Sequence, residues 1–390
     1  MKTVDKFMIG SEQLRKIAAD FCGQIELGAI GEASCFKMLP SYLPRAVGSE
    51  SGRYIALDFG GTNVRALLVE LQQSGSTQVL YSKSRKIPSL LMNSRSDAQQ
   101  LFAFIAALVA ELVEDEREYS LAHTFSFPVR QTDVNCGVLV EWAKEFATAG
   151  VVERDVNQLL ATALMELKLS NIKPVALLND TVATLLAASY KDAHTVIGSI
   201  CGTGHNTAFF EQRTNMVINL ESGNFNLLPL NEYDLVLDAA SSNPGKQCLE
   251  KMVAGRYLGE LFRLASARAD FPEKYSLDSE LLSEIILGRR AEFSEREREL
   301  AIAIVQRAAA LVGTSYVGVL MYLQLIGSKC SIAVDGSLYE KMPLYADIIR
   351  ATVDELLGDA AQQIRIFAEH SGSSVGAAVA AALVVQNQVD

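Results

Sequence analysis

The first clear pattern along the chain is a pair of apolar runs on either side of a small polar turn. Residues 54–59, YIALDF, and 64–71, VRALLVEL, are rich in β-branched and long apolar side chains over lengths that suit β-strands. The residues between them, GGTN at 60–63, are typical of a tight turn. The pattern therefore predicts a β-hairpin.

Farther along, helical spacing alternates with strand-like runs. Residues 97–119 repeat apolar side chains three and four positions apart after a capping aspartate, Asp97, and predict a helix. Residues 123–129 and 175–180 predict strands, and residues 180–190 predict a helix. The apolar stretch 311–327 is short for a membrane span and contains polar side chains, so it predicts a buried helix. This alternation favours α/β layers.

The strand–turn–strand pattern occurs again in the second half of the chain. Residues 195–212, TVIGSICGTGHNTAFFEQ, contain two apolar runs joined by a glycine–threonine–glycine turn, and residues 330–349 place Asp335, Gly336 and Ser337 between a strand and a helix. Such units far apart predict a duplicated, two-lobed protein whose turns face one another across a cleft. We place a small domain at 51–180 plus 371–390 and a large domain at 1–50 plus 181–370.

Composition narrows the class of protein. Hydrophobic residues make up 49% of the 390 residues and charged residues 21%, which is a globular balance. The formal net charge of −11 argues against nucleic acid as a partner, because a phosphate-binding surface needs clustered Lys and Arg. The six cysteines are scattered without metal-like spacing and are expected to be reduced. The N-terminal residues lack a signal-peptide pattern, so we expect a cytoplasmic protein without a membrane partner.

The glycine turns suit a phosphate group. Glycine adopts the positive φ values that let consecutive N–H groups point into one concavity, and such nests bind anions. The neighbouring Thr62, Asn63, Thr203 and Asn206 add neutral donors. For GGTN alone, a plain hairpin turn is the alternative. Neither turn has the GxGxxG pattern that opens a helix, and no GxxxxGK[ST] is present, so a Rossmann protein and a Walker-type NTPase are both disfavoured.

Acidic residues at two strand ends are candidates for chemistry. Asp58 suits either a hydrated Mg²⁺ beside a nucleotide or an ordinary Asx turn. Asn179 and Asp180 lie where a strand passes into a helix, which is an edge where open α/β sheets bind ligands and also an ordinary helix N-cap. Phosphoryl transfer to an alcohol requires a group that accepts the hydroxyl proton, so Asp180 is the candidate general base.

Seven ordered motifs resemble those of the hexokinase family, including the eukaryotic-type glucokinases. They are LDFGGTNVR, TFSFPV, LLNDTVAT, GTGHNTAFFE, NPGKQCLEKM, GRYLGELFRL and AVDGSLYEKMP, and the match runs from about residue 40 to the C-terminus. The resemblance implies the actin, Hsp70 and sugar kinase fold group, that is, an α/β, two-lobed actin-like ATPase (ribonuclease H-like) fold with an interlobe cleft. It also implies roles for individual residues.

The resemblance implies that Asp58 contacts Mg²⁺ through water. It also implies that the nucleotide is bound by Asp58, Gly60, Gly61, Thr62, Asn63, Gly202, Thr203, Gly204, Asp335, Gly336 and Ser337. It implies Asp180 as the catalytic base. For the sugar it implies Ser126, Lys144, Asn179, Asp180, Asn206, Glu221 and Glu250. Carboxylates and amides suit a sugar because its hydroxyls both donate and accept hydrogen bonds.

Several of these residues also have an interpretation that needs no ligand. Ser126 fits a strand-end serine, Lys144 a surface lysine and Glu221 a surface turn. Asn243 followed by proline predicts a helix start, which would make Glu250 an exposed helix carboxylate.

The chain departs from the family pattern in three places. Ala143 stands where threonine is common before the sugar-site lysine, and Ser222 and Asn224 stand where a tryptophan and a small residue are common after the sugar-site glutamate. These changes bear on the choice of sugar. The late motif reads GSSVGAA in place of a GSGKGAA-like sequence, which bears on nucleotide preference.

The resemblance implies an ATP-dependent enzyme that phosphorylates the 6-hydroxyl of a hexose, glucose foremost and mannose or fructose as alternatives, to hexose 6-phosphate in glycolysis. ATP and Mg²⁺ are the expected cofactors, and we expect a monomer or homodimer. The main alternative is a hexokinase-like sugar sensor with weak or no catalysis. A chaperone- or actin-like ATPase would not explain TFSFP or NPGKQCLEKM, and the chain lacks the zinc-binding cysteine cluster of bacterial repressor-type sugar kinases.

Overall fold

The structure is a computed structural model that describes residues 3–113, 115–143, 146–370 and 372–387. Strands and helices alternate along much of the chain. The strands are β1 (Leu39–Pro40), β2 (Gly52–Phe59), β3 (Asn63–Gln72), β4 (Ser76–Lys86), β5 (Tyr119–Phe125), β6 (Val129–Asp133), β7 (Cys136–Leu139), β8 (Ile172–Leu178), β9 (Thr195–Cys201), β10 (His205–Glu211), β11 (Met216–Asn219), β12 (Cys330–Asp335) and β13 (Ile364–Ala368). The helices are α1 (Ser11–Ala29), α2 (Ser89–Met92), α3 (Ala98–Ala110), α4 (Val156–Glu166), α5 (Asp180–Lys191), α6 (Glu232–Ala240), α7 (Cys248–Val253), α8 (Gly255–Ser266), α9 (Ser279–Ile286), α10 (Glu295–Tyr322), α11 (Ser337–Lys341), α12 (Tyr345–Leu357) and α13 (Gly372–Asn387).

The chain divides into two compact units. The first unit comprises Met1–Met38, Ser199–Thr207 and Leu220–His370, and the second comprises Leu39–Gly198, Ala208–Asn219 and Ser371–Asp390. Strands β9 and β10 each pass from one unit into the other along the chain. Residues 39–50, 181–198 and 208–219, which the sequence analysis assigns to the large domain, belong to the second unit in this division.

The core of the second unit is a five-stranded sheet in the order β4–β3–β2–β5–β8. The predicted hairpin is confirmed as β2 and β3, which are antiparallel, while β5 and β8 run parallel to β2. Ile55, Leu57 and Phe59 of β2 enter a core shared with α3 and α4. Tyr54 and Ala56 enter the opposite core, shared with α5 and α13. Because both faces are covered over the inner part of the sheet, β2, β3 and β5 contain long apolar runs, whereas the edge strand β4 is mostly exposed and polar.

The packing of α5 against α13 is the physical reason for the domain boundary. Val182, Leu185 and Leu186 of α5 share one buried core with residues 377–384 of α13. At Gly376 a Cβ would lie 1.9 Å from the carbonyl oxygen of Ala183, so the two helices meet at backbone distance. A boundary at residue 180 would split this core.

The centre of the first unit is α10, which packs against α1, α8, α9 and α12. By length and composition, α10 is the one helix among the described residues that could cross a membrane, but most of its apolar part is buried inside the unit, as in the core helix of a soluble protein. This confirms the predicted buried helix over residues 311–322, while the last five residues of the predicted stretch 311–327 lie beyond the end of α10. Strands β12 and β13 pair in parallel beside these helices.

The predicted helix over residues 97–119 is correct at its start and wrong at its end. The Asp97 carboxylate accepts the N–H of Gln100 at 2.9 Å, and the reciprocal contact completes a capping box. The helix ends at Ala110, and the predicted end at residue 119 is excluded because Tyr119 pairs with Ile172 as the first residue of β5.

The predicted helix start at Asn243 is wrong. The carbonyl of Asn243 accepts the Lys251 ammonium at 2.8 Å, and α7 begins only at Cys248, after Gln247 in a left-handed conformation. The buried Lys251 also pairs with Asp238 at 2.5 Å, so a loop held by charged contacts takes the place of the predicted first turn.

Candidate active site

In the second unit, the turn between β2 and β3 lies directly against Ser126. Gly60, Gly61 and Thr62 form the turn, and Asn63 begins β3. At Gly60 a Cβ would lie 2.8 Å from the hydroxyl oxygen of Ser126, and the amide of Ser126 donates to the carbonyl of Phe59 at 3.2 Å. The structure thus places a predicted phosphate-turn residue beside a predicted sugar residue.

Asp58 is held by the start of α13. The hydroxyl of Ser373 donates to Asp58 Oδ2 at 2.8 Å, and the carbonyl of Ser373 accepts the Thr124 hydroxyl at 2.9 Å. Ser373 belongs to the GSSVGAA segment, which sequence reasoning connected only with nucleotide preference. A half-buried carboxylate with one oriented oxygen suits a hydrated Mg²⁺, since Mg²⁺ in nucleotide sites is commonly held by one or two carboxylates, water and phosphates.

Asn179 and Asp180 form the N-terminus of α5. Asn179 caps the helix, because its side-chain oxygen accepts the N–H of Thr181 at 2.8 Å. Asp180 Oδ1 accepts the same N–H at 2.8 Å and the Thr181 hydroxyl at 3.2 Å. Among the residues that the structure describes, Asp180 Oδ2 has no hydrogen-bond partner. The carboxylate is therefore fixed through one oxygen, and the other remains available to a ligand.

Of the sugar-site residues predicted for this unit, Lys144 lies outside the described residues. Its neighbour Ala143, one of the departures from the family pattern, is partly buried against the apolar core that contains Phe59 and Phe127. The methyl group at position 143 therefore contributes to packing.

In the first unit, the glycine–threonine–glycine turn between β9 and β10 packs on the segment that carries Gly336. The carbonyl of Gly202 accepts the amide of Gly255 at 2.9 Å, and the amide of Gly202 donates to the carbonyl of Gly204 at 3.1 Å. Gly336 has φ 127°, and a Cβ there would lie 2.4 Å from the carbonyl oxygen of Cys201. Only glycine suits this position. Asp335, at the end of β12, precedes it.

A cavity of about 360 Å³ opens beside this turn. Its lining includes the predicted residues Gly202, Thr203 and Ser337. Sequence reasoning missed the remaining residues, which are Gly255, Arg256, Tyr275, Leu277, Asp278, Ser279 and Leu338. The motif GRYLGELFRL contains Gly255 and Arg256 and offered a signal for those two, whereas no motif covers the loop between α8 and α9. The mixture of glycine backbone, apolar side chains, an aromatic ring and a guanidinium suits a nucleotide.

The predicted sugar-binding residues of the first unit, Asn206, Glu221 and Glu250, lie close together just after the Gly202–Gly204 turn. Asn206 Oδ1 accepts the amides of Thr207 at 2.7 Å and Ser222 at 3.2 Å, so its Nδ2 is directed to Glu221 Oε1 at 3.2 Å. Glu250 Oε2 accepts the amide of His205 at 3.0 Å. An amide and two carboxylates are therefore held side by side next to the turn.

The two carboxylates affect each other. Burial raises the pKa of the Glu250 carboxyl above its usual range, and the negative charge of Glu221 adds to the rise, while the His205 amide opposes it. Both glutamates are half-buried, so neither matches the exposed position that its local sequence suggested. Glu221 also has a left-handed backbone, with φ 57° and ψ 50°.

Ser222 and Asn224 make hydrogen bonds around the loop that carries Glu221. The Ser222 side chain is buried, and its hydroxyl donates to the Thr207 hydroxyl at 3.2 Å. The Asn224 amide donates to the carbonyl of Glu221 at 3.1 Å. Both side chains therefore make hydrogen bonds that support the loop carrying Glu221.

Within the described residues, no group of three or more His, Cys, Asp or Glu side chains could hold a metal ion. A metal that depends on protein ligands alone therefore does not fit this part of the chain. A hydrated Mg²⁺ that arrives with a nucleotide does fit, because Asp58 supplies one carboxylate and the phosphates supply the other charged oxygens.

Comparison with known proteins agrees with this chemistry. Two family models, both described as hexokinase, match residues 1–190 and 196–383. Hexokinase-7 of Oryza sativa subsp. japonica is 34% identical over 95% of this chain and 93% of its own length. Hexokinase-1 of Saccharomyces cerevisiae is 32% identical over 97% of this chain and 90% of its own length.

Solved structures show the same fold. A crystal structure of a hexokinase matches with a TM-score of 0.89 at 30% identity, covering 98% of both chains. The Schistosoma mansoni hexokinase complexed with glucose matches with a TM-score of 0.82 at 29% identity, covering 97% of both. The fold is thus the α/β actin-like ATPase fold of these enzymes. The chain belongs to the hexokinase family and is a phosphotransferase that phosphorylates a hexose with ATP.

Proposed function

We propose that the protein transfers the γ-phosphoryl group of ATP to the 6-hydroxyl of glucose, with Asp180 as the general base. The observation that carries this proposal is the short segment from Gly202 to Asn206. Gly202 and Thr203 line the cavity, while the amide of His205 and the side chain of Asn206 contact the two carboxylates. One segment thus joins a phosphate-type turn to groups that suit sugar hydroxyls.

The first-unit cavity and the two glycine turns are assigned to ATP. Backbone N–H groups of a glycine turn accommodate phosphate oxygens without a large standing positive charge, which agrees with the acidic composition. Tyr275 and Leu277 offer apolar surface to the rest of the nucleotide. Asp58, oriented by Ser373, would hold the hydrated Mg²⁺. When bound, Mg²⁺ offsets the charge on the phosphoryl group that is transferred.

The hexose is assigned to Asn206, Glu221 and Glu250, together with Ser126, Lys144 and Asn179. A carboxylate accepts a proton from a hydroxyl, and an amide both donates and accepts, so the set complements a ring of hydroxyls. A sugar that lacks one of these hydroxyls would leave a half-buried polar group unpaired, which costs about 1–3 kcal/mol.

Asp180 is assigned to the proton. Its Oδ1 is held by Thr181, and Oδ2 would accept the proton of the 6-hydroxyl as the oxygen bonds to the γ-phosphorus and ADP leaves. A general base of this kind contributes roughly 10²- to 10⁴-fold to the rate.

Asp180→Asn tests this role. The variant keeps an oxygen that can accept from Thr181 but removes the base, so kcat should fall by at least about 100-fold while glucose affinity changes by less than about threefold. A coupled assay with glucose, mannose and fructose measures turnover, and calorimetry measures binding. Asp155→Asn is a control, because Asp155 is also a carboxylate at a helix N-terminus, where its Oδ1 accepts the amides of Asn157 and Gln158, and its replacement should leave kcat unchanged.

Near-normal turnover in Asp180→Asn would remove Asp180 from this role. Glucose binding by the unmodified protein without turnover would favour the sugar-sensor alternative. ATP hydrolysis that is indifferent to all three sugars would contradict the hexose proposal as a whole.

A further inference from the structure

Lys37 contacts the proposed hexose site although it belongs to none of the seven motifs. It lies between α1 and β1, and its ammonium is 3.5 Å from Glu221 Oε2. The other carboxylate oxygen, Oε1, accepts from the Asn206 amide at 3.2 Å. The Glu221 carboxylate is thus held at both oxygens by residues far apart in the chain.

The Glu221 backbone has a left-handed conformation, which restricts where its side chain can lie. A left-handed conformation is uncommon for a residue with a Cβ and is strained, so it persists only where surrounding contacts hold it. The same turn is tied by the Ser222 amide to Asn206 Oδ1 and by the Asn224 side chain to the Glu221 carbonyl. The loop therefore fixes the direction of the Glu221 side chain, and its carboxylate contacts the Asn206 amide and the Lys37 ammonium.

Charge balance supplies a second reason. Glu221 and Glu250 repel each other, and a hexose is neutral, so the protein itself must offset the two negative charges. The groups that act on Glu250 are the His205 amide, Arg256 and Lys251. Lys251 is engaged by Asp238 at 2.5 Å, and Arg256 lies at the cavity. The groups that face Glu221 include the Asn206 amide and the Lys37 ammonium.

We propose that Lys37 is a positioning residue for the hexose: its ammonium holds the Glu221 carboxylate in place, so that Glu221 and Glu250 accept sugar hydroxyls together. The inference rests on the proposed hexose site. It concerns affinity for the sugar and leaves the phosphoryl-transfer step to other residues.

Lys37→Met is the principal test. The KM for glucose should rise about three- to tenfold, because an exposed ion pair contributes modestly, while kcat and the KM for ATP should change by less than about twofold. Lys37→Arg should restore the glucose KM. Lys329→Met, which removes an equal charge from an exposed loop, should leave the glucose KM unchanged.

A double-mutant cycle assigns the effect to the pair. In a Glu221→Gln background, Lys37→Met should add no further rise in the glucose KM, because the charge that Lys37 offsets is already gone. About 0.5 M NaCl should also raise the glucose KM of the unmodified protein toward that of Lys37→Met, since salt screens a half-exposed ion pair and the sugar carries no charge.

The possible failures are distinguishable. If the unmodified protein shows no glucose-dependent turnover, the proposed function is overturned, and this inference with it. If that protein is active but Lys37→Met matches it in glucose KM, or if the effects of Lys37→Met and Glu221→Gln are additive, only the role of Lys37 is overturned. Thermal melting of each variant identifies loss of folding, and the Lys37→Arg result then decides.

Discussion

At the scale of single residues, burial determines what the two interior histidines do. His123 and His205 are almost fully buried, and in each imidazole Nδ1 has a partner, the Asn157 side-chain oxygen at 3.3 Å and the Ile200 carbonyl at 3.0 Å respectively. In both rings Nε2 is buried without a hydrogen-bond partner among the described residues. Burial lowers the pKa of each imidazole to about 4. Both histidines are therefore neutral, structural groups at neutral pH.

Because both histidines must be neutral in the folded protein, we expect the free energy of unfolding to fall in acid. The pKa of each is lower in the folded protein than the 6.5 of an unfolded chain, so their contribution is complete above about pH 6.5 and is lost as the pH falls toward 4. Each accounts for on the order of 3 kcal/mol over this range.

Urea unfolding at pH 7 and pH 5 measures the effect. The loss of stability between these values should be smaller in His123→Asn and in His205→Asn than in the unmodified protein, whereas His194→Asn, at an exposed position, should behave like the unmodified protein. An undiminished acid loss in both interior variants would contradict this explanation.

At the scale of elements, glycine allows helices to meet at backbone distance. Gly376 of α13 lies against the carbonyl of Ala183 in α5, and Gly318 of α10 lies against Phe21 of α1, where a Cβ would come within 2.8 Å of the phenylalanine Cβ. These contacts connect helices that are distant in sequence but belong to the same unit. Side chains at these positions would force the helices apart.

The same substitution in two helices should therefore have opposite effects. Gly376→Ala should lower the free energy of unfolding by about 3 kcal/mol, because the new methyl group has no space beside α5. Gly23→Ala in α1, where a Cβ would meet nothing within 4 Å, should raise it by about 1 kcal/mol through helix propensity. Denaturant midpoints for the two variants check the signs. Equal effects would show that packing at Gly376 is not limiting.

At the scale of the whole molecule, the proposed hexose residues of the first unit come from four separated parts of the sequence. Lys37 precedes β1, Asn206 lies on β10, Glu221 lies in a left-handed turn and Glu250 lies on α7. Their contacts exist only when the unit is folded. A hexose that binds this set would therefore bind the folded protein and not the unfolded chain.

Glucose should consequently stabilise the protein. At about 100 times the dissociation constant it should raise the free energy of unfolding by about 2.7 kcal/mol, which thermal melting and urea titration can measure. Asp180→Asn should retain most of this increase, because it removes the base, whereas Glu250→Gln should lose most of it at the same glucose concentration. Equal stabilisation of Glu250→Gln and the unmodified protein would place the sugar elsewhere.

Local patterns in the sequence were sufficient for features that depend on neighbouring residues. Alternation and turn chemistry predicted the β2–β3 hairpin, Asp97 was recognised as a cap, and the apolar stretch within α10 was recognised as a buried helix. The ordered motifs identified the family. Each of these signals is contained within a short window, where period and propensity act directly.

Contacts between distant segments required the tertiary structure. Ser373 on Asp58, Lys37 on Glu221 and Tyr275 in the cavity wall follow from how helices and strands pack, and no local period marks them. Because of the same packing, Glu221 and Glu250 are half-buried, although their local sequences suggested exposed positions. Long-range packing also brings α5 and α13 into one core. Sequence alone thus determined the family and the elements with strong local signals, whereas burial, side-chain pairing and some helix ends were decided by long-range packing, because a residue's surroundings come mostly from segments remote in the chain.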